Sequence, residues 1–266
     1  MTQLATENLS FSYRRREILR DISLCFGAGE LTGLLGPNGC GKSTFLKNLL
    51  GFLQPRSGRI VYVSSEERSR GLAYVPQQSG LSTALTVREA VLMGRLPWLR
   101  DRWAGYDEED RRKTEWIIEA LALGPLAERD VLHLSGGELQ KTLIARALVQ
   151  EGDVLLLDEA TSGLDINHCV EIMELMRRKA RDEGKTIIAA LHDLNLAAQF
   201  CDRVILLKKG EVQFDGHPRE AFTGERIEAV YGLRVTVIHD ERGTPVVVPC
   251  AEGSFRRQNL EKTEDR

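Results

Sequence analysis

The chain has 266 residues, 42% of them hydrophobic and 28% charged, which is the composition of an ordinary globular protein. Its 36 Lys and Arg against 39 Asp and Glu leave a net charge of −3, which disfavours a broad basic surface for nucleic acid. No apolar run approaches the roughly 20 residues that span a bilayer, and the chain does not open with the pattern of a secretion signal. We therefore expect one or two domains in a chain that stays in the cytosol.

The first elements along the chain are strands. Residues 9–13 alternate apolar and small polar side chains, and residues 18–26 form a second candidate strand. A glycine loop and a helix over residues 42–50 follow a short apolar strand. Altogether four short apolar runs predict buried strands of a parallel sheet: residues 31–35, 72–75, 154–157 and 187–191.

The middle of the chain has a helical pattern. Thr86 and Glu89 form a capping box that predicts a helix to about Met93, and acidic residues 107–110 begin another, with Gly124 as its expected end. Residues 235–248 are β-rich, and residues 251–266 are polar and charged, as in a mobile tail. The pattern indicates an α/β body that carries a mostly helical insertion.

A phosphate-binding loop follows the strand at residues 31–35. Residues 36–44 match G-x-x-x-x-G-K-[ST] between a strand and a helix, so a chance glycine turn is a poor alternative. Glycines let backbone N–H groups surround phosphate oxygens; Lys42 would reach the β- and γ-phosphates, Ser43 would bind Mg²⁺, and Thr44 would support a more proximal phosphate. The candidate ATP-binding residues here are Gly36, Pro37, Asn38, Gly39, Cys40, Gly41, Lys42, Ser43 and Thr44.

Two carboxylates follow the strand at residues 154–157. Asp158 is placed to hold Mg²⁺ through water, and Glu159 has the chemistry of a general base that polarises an attacking water. His192 follows the strand at residues 187–191. Because parallel sheets collect ligands at the carboxyl ends of their strands, we expect Gly36, Asp158 and His192 to converge, with His192 close to the γ-phosphate.

A second glycine element, Ser135-Gly136-Gly137-Glu138, opens a helix. Ser-x-x-Glu is a capping box, and that structural role holds whether or not the segment has another. Two glycines at a helix entrance also expose bare N–H groups, a second anion site without a lysine. One γ-phosphate does not need two such sites, so the second would serve the nucleotide of a partner.

Together these residues resemble the ATP-binding subunit of ABC transporters over about residues 5 to 230. Gly36–Thr44 is similar to the Walker A motif, residues 154–159 to Walker B, and residues 134–138 to the signature. The resemblance implies a P-loop NTPase of the ABC ATPase type, with a RecA-like core, an antiparallel β subdomain and an inserted helical subdomain. It implies a domain over residues 1–232 with the helical insertion at about 78–150, a β-rich extension over 233–250 and a tail over 251–266.

The resemblance also implies further roles. Gln77 matches the Q-loop glutamine that senses Mg²⁺ and the γ-phosphate, and Asp165 matches the D-loop residue. Tyr13 matches the aromatic that stacks on adenine; the alternative is a core residue that shares a face with Leu9 and Phe11.

Three positions depart from the family's pattern. Cys40 replaces a more usual Ser, and because only its backbone N–H is needed, we expect an inert small side chain. Glu138 replaces a common Gln, a change that the capping role tolerates. Ala160 replaces the common Pro after the catalytic Glu, which should loosen the turn.

Residues 86–98 and the stretch from Val230 to Val248 are similar to importers of ferric siderophores, haem and cobalamin. The resemblance implies an ATPase using ATP and Mg²⁺ at the cytoplasmic face of the inner membrane, with iron-siderophore the leading cargo and haem or cobalamin the alternatives. Its implied partners are a second copy in the ATP-bound state and membrane-spanning permease subunits, which residues 95–98 would contact. An extracytoplasmic substrate-binding protein is an indirect partner, and nucleic acid is not a partner.

Competing classes remain at this stage. A soluble ABC ATPase acting on DNA or ribosomes usually adds a coiled coil or a second ATP module, which this sequence lacks. A P-loop kinase has no use for the signature. An exporter or another importer subfamily is a further alternative, because this subunit does not touch the cargo.

Overall fold

A six-stranded sheet forms the centre of the chain. The computed structural model describes residues 2–62, 71–77, 84–99 and 105–250, so the predicted tail and parts of the predicted insertion lie outside the described residues. Five neighbouring strands are parallel and the sixth is antiparallel at one edge. The order is β5 (Leu72–Val75), β6 (Val154–Asp158), β7 (Thr186–Ala190), β3 (Leu31–Leu35), β8 (Arg203–Lys208) and β9 (Glu211–Gly216).

Each apolar strand buries both of its faces, which explains the unbroken hydrophobic runs in the sequence. Along β6, Leu155 and Leu157 join one core cluster, whereas Val154 and Leu156 join the cluster on the other face. The helix α1 (Lys42–Leu50) packs in the second cluster through Phe45, Leu46 and Leu49. The helix α5 (Ile166–Glu183) packs in the first.

Two smaller β units accompany this sheet. An antiparallel sheet has the order β2 (Arg16–Gly27), β1 (Thr2–Tyr13) and β4 (Ser57–Tyr62). The strands β10 (Val235–His239) and β11 (Pro245–Pro249) pair as a hairpin, which confirms the β-rich character expected for residues 235–248.

The elements described between β5 and β6 are helical. They share a separate core cluster that includes Val87, Val91, Ile117 and Ala145. The α-helices are α2 (Val87–Leu92), α3 (Glu108–Ala120) and α4 (Gly136–Leu148), with short 3-10 turns at Met93–Trp98, Gly124–Leu126 and Val131–His133. After β7 and β9 come α6 (Leu194–Phe200), α7 (Pro218–Ala221) and α8 (Gly224–Tyr231). None of the helices that the structure describes has the length and apolar character needed to cross a bilayer.

Two local expectations are wrong. Helix α3 ends at Ala120 and not near Gly124, because Ala122 takes the left-handed conformation (φ 54°) that usually belongs to glycine after a helix. Arg95 does not lie in a solvated loop, because it is buried: its Nε donates to Asp110 at 2.7 Å and its guanidinium also donates to the Val149 carbonyl. The contact of residues 95–98 with a membrane partner stays a prediction.

Candidate functional site

The carboxyl ends of β3, β6 and β7 meet at a cleft of about 660 Å³. Gly36, Asp158 and His192 each occupy or follow the end of one of these strands, so the structure brings them to the expected edge. The side chains and backbone that line the cleft come from Arg16, Ile18, Asn38, Gly39, Gly41, Lys42, Ser43, Thr44, Gln77, Glu159, Ser162 and His192.

The glycine loop has a backbone that only glycine tolerates. A Cβ at Gly36 (φ 150°) would lie 2.1 Å from the Leu207 carbonyl oxygen, and one at Gly41 (φ 115°) would lie 2.8 Å from Leu19 Cδ2. Lys42, only 5% exposed, donates from Nζ to the Gly36 carbonyl at 2.8 Å. The loop therefore holds its ammonium group at the mouth of helix α1, where phosphate oxygens bind.

Cys40 lies inside this loop as a buried thiol. Burial raises its pKa, which makes the thiol less reactive and agrees with an inert side chain. Its N–H donates to the Pro37 carbonyl at 3.1 Å, so in this structure the N–H that we expected to face phosphate closes a turn within the loop.

Oxygen donors suited to a divalent cation lie behind the loop. The Ser43 hydroxyl donates to Asp158 Oδ1 at 2.8 Å, and the Tyr74 hydroxyl donates to Asp158 Oδ2 at 3.2 Å. Burial raises the pKa of Asp158, while these two hydrogen bonds oppose that shift. Mg²⁺ prefers hard oxygen ligands and is held by one or two carboxylates together with substrate phosphates. Ser43 and Asp158 fit that pattern.

Glu159 is held between two polar side chains. Its Oε1 lies 2.6 Å from His192 Nε2, and its Oε2 accepts a hydrogen bond from Gln77 Nε2. The residue takes a left-handed backbone (φ 55°), and its N–H donates to the Ala190 carbonyl at the end of the next strand. Gln77 and His192, both expected to act in hydrolysis, therefore each contact Glu159 beside the phosphate loop.

The signature residues lie elsewhere. Ser135 caps α4, accepting from the Glu138 N–H, while Glu138 Oε2 accepts from the Ser135 N–H at 2.7 Å. The Ser135 N–H and the Ser135 hydroxyl both donate to this carboxylate, and the two hydrogen bonds lower the pKa of Glu138. A Cβ at Gly136 would meet nothing within 4 Å, whereas one at Gly137 would lie 3.7 Å from the His168 ring. No signature residue is among the described residues that line the cleft.

Tyr13 and Asp165 also lie outside the cleft lining. Tyr13 is 47% exposed, which excludes the core role, and it packs edge-to-face on Phe11; it pairs with Arg16, which does line the cleft. Asp165 caps helix α5 and lies 2.7 Å from His168 Nδ1.

Three site residues were missed from the sequence: Arg16, Ile18 and Tyr74. Ser162, which also lines the cleft, begins the segment Ser162–Asp165 that matches the D-loop. Tyr74 had a usable signal, because a tyrosine in an otherwise apolar buried strand needs a partner for its hydroxyl. Arg16 and Ile18 had none, because the approach of β2 to the loop is set by tertiary packing.

Comparison with known proteins identifies the family of this chain. The ABC transporter family model matches residues 19–162. The iron(3+)-hydroxamate import ATP-binding protein FhuC of Bacillus subtilis is 36% identical over 91% of this chain and 92% of its own length. The hemin import ATP-binding protein HmuV of Pseudomonas putida is 40% identical over 92% of this chain and 99% of its own.

A solved structure described as an inward-facing conformation of a metal-chelate type ABC transporter has a TM-score of 0.85 at 30% identity. The alignment covers 95% of this chain and 99% of that one. These matches confirm the expected P-loop ABC ATPase fold. The chain belongs to the ABC transporter family as one of its ATP-binding proteins, and it is an ATPase.

Proposed function

We propose that the chain powers uptake of a metal chelate across the cytoplasmic membrane, with a ferric siderophore as the cargo. The observation that carries the proposal is the contact of Glu159 with Gln77 and His192 beside the phosphate loop, in a chain whose relatives are named as iron-hydroxamate and hemin import proteins. Haem is the second candidate, since the HmuV relative is the more identical of the two, at 40%; cobalamin is the third.

In hydrolysis, ATP lies with its phosphates on the loop and Tyr13 against the adenine. Lys42 binds the β- and γ-phosphates, and Glu159 accepts a proton from the attacking water while His192 contacts the γ-phosphate. Mg²⁺, when bound by Ser43, Asp158 and Gln77, would neutralise phosphate charge. Since His192 and Gln77 each contact one oxygen of Glu159, they orient the carboxylate before the water arrives.

The exposed signature supports a homodimer in the ATP-bound state. Ser135 and Gly136 are exposed at the start of α4, outside the cleft of their own chain. In a head-to-tail pair, residues 135–138 of one copy would cover the γ-phosphate of the other, and Asp165 would couple the two sites. Closure then requires ATP, which supplies the anion that the helix N-terminus binds.

A groove beside β5 supports docking of a permease subunit. The Phe52 groove, as we call it, has a volume of about 740 Å³ and is lined by Leu50, Phe52, Tyr74, Met93, Leu96 and Arg146, among others. Phe52 is 68% and Leu96 49% exposed, an unusual display of large apolar side chains. Burial lowers the pKa of Arg146, for which the described residues supply no acidic partner. We assign the groove to an apolar cytoplasmic segment of the permease that carries an acidic residue.

We also propose that the chain acts at the cytoplasmic face of the inner membrane, with an extracytoplasmic binding protein delivering cargo to the permease. We further propose the domain limits given by the resemblance: residues 1–232, with the insertion at about 78–150, and a β extension over residues 233–250.

Uptake of radiolabelled ferric siderophore tests the function directly. Cells lacking this protein are complemented with the wild-type chain or with Glu159→Gln, and labelled haem and cobalamin are run in parallel. Recovery of iron uptake by the wild type alone supports both the cargo and the role of Glu159. Recovery of haem or cobalamin uptake instead overturns the siderophore assignment. If no cargo responds in a strain without redundant importers, the importer proposal is wrong.

A further inference from the structure

Tyr74 contacts both Asp158 at the nucleotide site and Phe52 in the groove beside β5. Its hydroxyl donates to Asp158 Oδ2 at 3.2 Å, so it contacts the carboxylate assigned to the metal. Its ring lines the Phe52 groove and meets the Phe52 ring edge-on, with centroids 6.2 Å apart. One side chain therefore touches the metal side of the nucleotide site and the surface assigned to the permease.

Strand register explains how Tyr74 reaches Asp158. Strands β5 and β6 are parallel, and Tyr74 is the partner of Leu156. Side chains alternate between faces along a strand, so Leu156 and Asp158 point to the same face of the sheet. Tyr74 packs against the core cluster on that face, which also contains Leu156. The long phenol side chain then spans the step from position 156 to position 158.

Tyr62 shows what a tyrosine with a purely structural role looks like in this chain. Tyr62 is also partly buried against the same core cluster, and its hydroxyl donates to the Leu49 backbone carbonyl. That bond satisfies a polar group at the end of helix α1. The Tyr74 hydroxyl has a different acceptor, one of the two oxygens of a buried carboxylate whose other oxygen accepts from Ser43.

The two bonds fix the direction of the Asp158 carboxylate. The Ser43 hydroxyl donates to one oxygen of the carboxylate, on the side of the phosphate loop, and the Tyr74 hydroxyl donates to the other oxygen. Together they hold the carboxylate in one orientation. Hydrogen bonds of this kind to a metal ligand orient it and tune its affinity, and their loss typically costs 10–100-fold in metal binding.

We propose that Tyr74 is a positioning residue that orients Asp158 for Mg²⁺ and transmits occupation of the Phe52 groove to that carboxylate. The inference rests on the proposed metal and permease sites. A permease segment packed on Phe52 shifts the Tyr74 ring, and the ring shift moves the hydroxyl that holds Asp158. Arrival of the partner at the groove thus changes how tightly the site holds Mg²⁺ with ATP.

The first test uses the full-length chain and a fluorescent ATP analogue. Binding is measured in EDTA and then across a Mg²⁺ titration for the wild type, Tyr74→Phe and the matched control Tyr62→Phe. Tyr74→Phe is expected to raise the half-saturating Mg²⁺ concentration about tenfold and to leave binding in EDTA unchanged. Tyr62→Phe should match the wild type in both measurements.

Unchanged Mg²⁺ dependence in Tyr74→Phe would overturn the positioning role. An equal loss of binding in EDTA would also overturn it, because it would show general damage to the site. A wild-type chain whose nucleotide binding ignores Mg²⁺ would contradict the proposed metal site itself, which separates that failure from failure of the inference.

The second test measures transmission in the complex with the permease subunits. The half-saturating Mg²⁺ concentration of the wild-type complex is expected to differ from that of the isolated wild-type chain. For Phe52→Ala, the complex and the isolated variant should have the same half-saturating Mg²⁺ concentration. If Phe52→Ala prevents assembly, the same comparison is made with Tyr74→Phe, which keeps the aromatic ring in the groove. Persistence of the full difference in Tyr74→Phe would overturn the transmission.

Discussion

The phosphate loop and the signature element are both glycine-rich starts of helices, but the chain treats them differently. The loop is embedded: Gly36 and Gly41 have no room for a side chain, and Lys42 is buried over the loop. The signature is open: a side chain at Gly136 would meet nothing, and Ser135 with Glu138 satisfies only the chain's own N–H groups.

This difference teaches which parts of the site one chain can complete. Gln77 and His192 both contact Glu159 within the chain, so folding alone brings these three residues together. No signature residue is among the described residues that line the nucleotide cleft of the same chain. In the proposed dimer, the signature therefore binds the nucleotide of the other copy. Variants in the two regions should therefore fail in different ways.

Glu159→Gln should lower the rate of ATP hydrolysis about 10²–10⁴-fold, because the amide cannot accept the proton from water. ATP binding should stay near wild type, since the phosphate loop is untouched. Phosphate release and nucleotide binding measured on the same preparation check both statements. A variant that hydrolyses ATP at the wild-type rate would move the general base to another residue.

Arg95→Ala should destabilise the helical region by about 3–5 kcal/mol, because it leaves Asp110 buried without its ion-pair partner. Urea unfolding measures the change. Arg111→Ala, on the exposed face of the same region, is the control and should stay within about 0.5 kcal/mol of wild type. Equal stability of both variants would contradict the buried ion pair.

Ser135→Ala and Thr86→Ala separate the cap from the signature. Both residues are N-caps in capping boxes, so each change should cost about 1 kcal/mol of stability. Only Ser135→Ala should also slow hydrolysis, because in the proposed dimer its helix faces the nucleotide of the other copy and the helix after Thr86 does not. Equal hydrolysis rates in the two variants would show that Ser135 acts only as a helix N-cap.

Cys40 should react more slowly with iodoacetamide than the exposed Cys25 in the native protein. Burial blocks access and raises the pKa of Cys40, so at pH 8 a smaller fraction is thiolate, and the rate should rise only as the pH approaches the raised pKa. Peptide mass spectrometry after timed alkylation measures both thiols. Faster modification of Cys40 would make the phosphate loop a redox target.

The sequence predicted those parts of the fold in which local pattern and burial agree. The runs that became β3, β5, β6 and β7 are apolar because both faces are covered, and their carboxyl ends located Gly36, Asp158 and His192. Strand β4 escaped prediction because its side chains are largely exposed, whereas β9 was missed although its side chains alternate between exposed and half-buried. The end of α3 was misplaced because Ala122 took a conformation for which only glycine gives a sequence signal.

The candidate site divides in the same way. Glycine spacing and acids after strands pointed to the loop, Asp158 and Glu159. The hydrogen bond of Tyr74 to Asp158 depends on the register of two strands about 80 positions apart, which no local pattern encodes. The burial of Arg95 likewise depends on Asp110 and Val149, which approach only when the helices pack.

The central claim is that one chain assembles the hydrolytic residues and that its signature acts on a second copy. The most direct test is light scattering of Glu159→Gln with saturating ATP, alone and combined with Ser135→Arg. We expect the single variant to double the 29.8 kDa mass of one chain, because ATP that is not hydrolysed holds the two copies together. The double variant should bind ATP equally well and remain a monomer, since its arginine blocks the signature surface. A monomeric single variant, or a double variant that still dimerises, would contradict the account.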